Sequence, residues 1–84
     1  MAKPLRFTGH ARTVLAEREL AEEWVERTAR APDWEASDPS PGVVRRYRVI
    51  PERGGRVLRV ACVETSSEIR ILSAFLDRRA RKPE

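Results

Sequence analysis

This sequence is short of most residues that do covalent or metal chemistry. It has one cysteine, Cys62, and one histidine, His10. One thiol closes no internal disulfide, and no metal-ligand spacing surrounds it, so no metal or other cofactor is expected. A chain that does not rely on disulfides fits a reducing cytoplasm. Glycine is limited to 4 residues, and the pair Gly54-Gly55 reads as a turn rather than a phosphate loop. There is no paired-carboxylate site and no Ser/His/Asp arrangement. No apolar run approaches the roughly 20 residues that span a bilayer, so no membrane partner is expected. "MAKPLRFTGHA" lacks an apolar stretch after its first charges, which argues against a signal peptide.

Lysine is also scarce. Only Lys3 and Lys82 are lysines, and the rest of the 17 Lys+Arg are arginine. Arginine presents a planar fork that matches phosphate bidentately, which an ammonium does not. Formal net charge is +4, unevenly spread. Residues 1–42 carry six basic and eight acidic side chains, whereas residues 43–84 carry eleven basic and five acidic. An arginine-rich half of this kind points to a polyanion, RNA first, or to an acidic protein partner.

With 84 residues the chain makes one domain, with a thin core. Residues 1–7 form a short lead in which Leu5 and Phe7 are strand or docking contacts. Residues 8–31 are helical: Thr8 is a helix N-cap, Ala11, Val14 and Leu15 recur at helical spacing, and a second helix over residues 21–31 ends at Pro32. "PDWEASDPSPG" reads as a loop. Residues 43–76 read as three strands, 43–50, 56–63 and 69–76, separated by turns. Residues 77–84 form a basic tail. The expected fold is α+β: two N-terminal helices packed on a three-stranded antiparallel meander.

"FTGHARTVLAERELAEEWVERTARAPDW" resembles the opening of the bacterial domain of unknown function 4258 family, through His10, Ala11, Arg18, Pro32 and Asp33. "EIRILSAFLDRRARK" is similar to the closing strand of the BrnT toxins. The resemblance implies a RelE/BrnT-like fold and, with it, a toxin-type ribonuclease acting on messenger RNA, free or ribosome-bound, and held by an acidic antitoxin. Two departures stand out. The family pattern has Arg-Gly-Ile between the helices, whereas Glu19 follows Arg18 here. Where BrnT has arginine after Ser-Ala, this chain has Phe75, with arginine delayed to Arg78.

Metal-free RNA cleavage needs a base for the 2′-hydroxyl, an acid for the leaving oxygen and cations at the phosphate. His10 suits either proton role. Arg18, eight residues on, falls on the same side of the helix, Tyr47 stacks on a base or moves a proton, and Arg70 meets phosphate. These four are the candidate catalytic residues. Arg46, Arg48, Arg59, Arg78, Arg79 and Arg81 are the candidate nucleic-acid contacts, with Arg46 and Arg48 on one sheet face and Arg45 and Tyr47 on the other. A non-catalytic module binding nucleic acid or an acidic protein is the alternative.

Overall fold

A computed structural model of the chain describes residues 2–83. Met1 and Glu84, the ends of the expected lead and tail, lie outside the described residues. Strand β1 (Leu5–Phe7) precedes helices α1 (Gly9–Glu17) and α2 (Glu22–Arg30). Strands β2 (Trp34–Ser37), β3 (Val44–Ile50), β4 (Arg56–Glu64) and β5 (Ile69–Leu76) follow. No helix among the described residues is long and apolar enough to cross a membrane.

The expected three-stranded meander is corrected by a five-stranded mixed sheet in the order β1-β5-β4-β3-β2. The meander β3-β4-β5 is its centre, and two short strands extend it. β1 joins β5 in parallel, with Leu5 opposite Ile69 and Phe7 opposite Ile71. β2 joins β3 antiparallel, with Trp34 opposite Tyr47. Residues 34–37 were expected as loop, and Leu5 and Phe7 as strand or docking contacts in a lead outside the three-stranded meander. Strands of three and four residues carry too little local pattern to declare themselves. Their backbone pairing to longer neighbours fixes them.

Thr8 opens α1 by accepting a hydrogen bond from the Ala11 amide at 3.0 Å. The end of α1 turns on Glu19, which sits at φ 53° in the left-handed region. Its amide donates to the Ala16 carbonyl, and the Leu20 amide donates to the Leu15 carbonyl at 2.9 Å. This pair of bonds is a Schellman motif, which ordinarily holds glycine at the Glu19 position. Leu15 and Leu20, its usual hydrophobic pair, both enter the core. Glutamate at that position keeps the turn at the cost of left-handed strain.

Both helices cover one sheet face. Ala11, Leu15, Leu20, Val25 and Ala29 pack onto Ile50, Leu58, Val60, Cys62, Ile69, Ile71 and Ala74. The register of β5 shifts between Ala61 and Cys62: Cys62 faces Ile71, and Ala61 faces Ser73. Leu72 is therefore an extra residue, a bulge that reverses the alternation of β5. Ile71 and Ala74 both reach the core, and Phe75 emerges on the uncovered face opposite Arg59.

The same alternation sends Arg46 and Arg48 towards the helices, alongside Val44 and Ile50. The Arg46 guanidinium donates to the Ala29 carbonyl at 2.9 Å, to Glu35 at 3.0 Å and to Glu64 at 2.6 Å. Arg48 donates to the Ala31 carbonyl. Both satisfy carbonyls at the C-terminal end of α2, where positive charge complements the helix dipole. Arg27 forks onto Glu52 at 2.9 and 2.8 Å, joining α2 to the turn after β3.

Three outcomes are expected. Glu19→Gly relieves the left-handed strain and raises stability by about 0.5–1 kcal/mol in urea unfolding, with a loss of stability contradicting the motif. Arg46→Ala lowers stability by about 2–3 kcal/mol, because it removes charge-assisted bonds to three elements. Bonding to Arg27 holds Glu52 down at about 2. Its folded value lies below the unfolded one, so its stabilisation is present above the ordinary carboxylate value and fades as pH falls from there towards 2. Urea midpoints between neutral pH and pH about 2.5 should drop less for Glu52→Gln than for the parent chain. Equal drops would refute that role.

Candidate nucleic-acid interface

The arginines divide sharply by what they touch. Arg6, Arg12, Arg27, Arg30, Arg45, Arg46, Arg59 and Arg70 each pair with a carboxylate. Among the described residues no ion pair uses Arg18, Arg48, Arg53, Arg56, Arg78, Arg79 or Arg81. Five of these seven line two cavities that share Arg56. One, of about 460 Å3, is lined by Arg18, Leu20, Arg53, Arg56, Phe75 and Leu76. The other, of similar volume, is lined by Arg56, Val57, Asp77, Arg78 and Arg81 among others. Together they form a groove at the end of the sheet where β4 begins and β5 ends.

Each wall has a local cause. Arg18 closes α1 and donates to the Ala74 carbonyl at 3.2 Å. That carbonyl faces an edge left open because β1 pairs with β5 only as far as Ile71. Arg53 and Arg56 flank the turn that ends in Gly54 and Gly55, both at positive φ. Arg53 reaches the Glu19 carbonyl at 3.5 Å and lies over the Trp24 ring at 5.8 Å. Phe75 forms the floor, with the guanidinium of Arg59 at 4.4 Å and that of Arg18 at 5.6 Å from its ring centre. The tail is tied down at its start. The Asp77 amide donates to Val57 at 2.8 Å, and its carboxylate takes the Arg79 amide at 2.9 Å and Arg59 at 3.4 Å.

The four expected catalytic residues do not converge. His10 is exposed in the first turn of α1, whereas Arg18 caps the other end, about 12 Å along the axis. Tyr47 is 8% exposed on the uncovered sheet face and stacks on Trp34 at 5.0 Å. Arg70 pairs with Glu68 at 3.1 Å and lines a small cavity of about 170 Å3 with Arg6, Phe7 and Thr8. None of the four main cavities is lined by His10.

Of the expected nucleic-acid contacts, Arg78 and Arg81 line the groove and Arg79 is exposed beside it. Arg59 lies against its floor. Arg46 and Arg48 lie on the helix-covered face and are bonded to carbonyls at the end of α2, away from the groove. Arg53 and Arg56 were not singled out in the sequence. The signal available was their placement at either side of the Gly-Gly turn, which brings two cations together at one end of a hairpin.

A cavity of about 430 Å3 on the opposite side is lined by Lys3, Arg30, Glu35, Arg46 and Glu64 among others. Its cations are all paired, Lys3 with Glu64, Arg46 with Glu35 and Glu64, and Arg30 with Glu26. Bonding from Lys3 and then from Arg46 holds the Glu64 carboxyl below its ordinary range. Cys62, behind this network, has its thiol pushed up by burial, which makes it a poor nucleophile.

The fold and groove define a small α+β domain with a concentrated arginine site. Its family follows from the sequence: residues 7–76 match the model of a domain of unknown function (DUF4258), and the chain belongs to that family. No curated protein and no solved structure matches it.

Proposed function

We propose that this domain binds the phosphate backbone of RNA through the groove formed by Arg18, Arg53, Arg56, Arg78 and Arg81. One observation carries the proposal: the arginines left without carboxylate partners gather at one end of the sheet, except Arg48, which is bonded to the Ala31 carbonyl after α2. Unpaired guanidinium groups around a concave surface release counterions when phosphates replace them, which supplies sequence-independent affinity. Much of the acidic charge of the first half is held by arginines outside the groove: Glu22, Glu23, Glu26, Glu35 and Asp38 are each bonded to one.

Binding without cleavage fits the geometry better than a toxin-type ribonuclease. Cleavage asks for a proton-transfer group beside the phosphate site, and His10, Tyr47 and Arg70 lie apart from the groove. An acidic protein is the competing occupant of the same surface.

Fluorescence polarisation with a labelled RNA tests the proposal. The parent chain should bind in the micromolar range at low salt, with affinity falling as salt rises. Arg56→Ala should weaken binding and reduce the salt slope by about 1, and His10→Ala should leave both unchanged. Equal affinity of Arg56→Ala and parent would overturn RNA binding at this groove. New RNA ends produced by the parent and lost in His10→Ala would instead establish cleavage.

A further inference from the structure

We infer that the groove takes single-stranded nucleic acid, with an unpaired base seated at Phe75 and the strand continuing across the uncovered sheet face towards Trp34; this rests on the groove's holding a nucleic-acid backbone. Three observations lead here.

The groove floor is apolar. Leu20, Phe75 and Leu76 lie between Arg18, Arg53 and Arg56. A site built only for phosphate has no use for an aromatic floor, whereas a base presents a flat π-surface that stacks on aromatic rings and guanidinium planes. Phe75 is partly exposed, and two guanidinium groups lie over its ring, that of Arg59 at 4.4 Å and that of Arg18 at 5.6 Å from its centre. A base takes the place of one of these two exchangeable side chains.

The floor also continues as a row. Phe75 stands opposite Arg59, Arg59 opposite Tyr47, and Tyr47 opposite Trp34. Directly opposed residues share a sheet face, so the four form one line across β5, β4, β3 and β2. With strands about 4.8 Å apart, the line is about 14 Å long. Trp34 and Tyr47 are stacked, 5° from parallel. The partly exposed Trp34 at the sheet edge and Phe75 in the groove are its accessible ends.

Charge selects the occupant. The row's groove end is bordered by Arg56, Arg78 and Arg81, which have no carboxylate partner, while Arg59 within the row and Arg45 beside it are bonded to Asp77 and Asp38. An apolar protein segment would leave these cations facing it, whereas a polynucleotide supplies a phosphate for each base. A duplex offers only base edges within its grooves, so no base plane reaches the floor.

The test compares four labelled probes of about 12 nucleotides, within the span that small single-strand binders cover: a single RNA strand, a single DNA strand, the corresponding RNA duplex, and an abasic strand with the same phosphates. Both single strands should bind at least about 5-fold more tightly than the duplex and the abasic strand, the margin expected for stacking one base. Phe75→Leu, which keeps an apolar floor, should erase that margin, and Phe75→Trp should restore it. Thermal unfolding checks that each variant is folded, and the abasic probe tests stacking on the unaltered protein. If all four probes bind alike and Arg56→Ala weakens each, the stacking inference fails while phosphate binding stands. If the parent binds none of them, both fail.

Discussion

The Arg46 guanidinium is the interaction on which the arrangement depends. Its side chain is 13% exposed, and it reaches α2 through the Ala29 carbonyl, β2 through Glu35 and the end of β4 through Glu64. Glu64 in turn holds Lys3 at 2.6 Å, just ahead of β1. A thin core cannot fix strands of three or four residues by apolar burial alone. The charged network on one side of the sheet therefore secures the lead to β1, β2 and the end of α2 at once. It also consumes positive charge there, which leaves the surplus at the opposite end.

Two backbone irregularities build the groove. The left-handed Glu19 swings the chain out of α1, so that Arg18 stays at the sheet edge while Leu20 drops beside Phe75. The bulge at Leu72 turns Phe75 onto the face opposite Arg59 instead of into the core. With strict alternation from Ile71, Phe75 would have been buried and Ala74 exposed, and the groove would have no aromatic floor. A strained helix end and a bulged strand are both features that persist where a site has a use for them.

Much of the helical half was legible in the sequence. Thr8 as cap, the spacing of Ala11, Val14 and Leu15, and Pro32 as a stop describe α1 and α2 to within a residue or so. The three long strands were legible too, because each is seven to nine residues long, rich in valine, isoleucine and leucine, and bounded by turn residues. β1 was legible only as one of two readings of Leu5 and Phe7, and β2 not at all, since "LRF" and "WEAS" become strands only against their partners. The site was half legible. The basic tail and Arg18 could be named from charge and position. The fate of Arg46 and Arg48 could not, because alternation says that they share a face but not which face the helices cover. Arg53 and Arg56 escaped notice because only the hairpin brings them to Arg18 and Phe75.

We propose the groove between the Gly-Gly turn and the tail as the seat of nucleic acid. Nuclear magnetic resonance on the labelled chain, titrated with a short single strand of RNA, tests this most directly. Shifts should concentrate on the backbone of residues 53–57 and 75–81 and on the side-chain Nε–H of Arg18, Arg53 and Arg56, with Arg46 and His10 unmoved. Shifts centred on Arg46, Glu64 and Lys3, or on the first turn of α1, would contradict it.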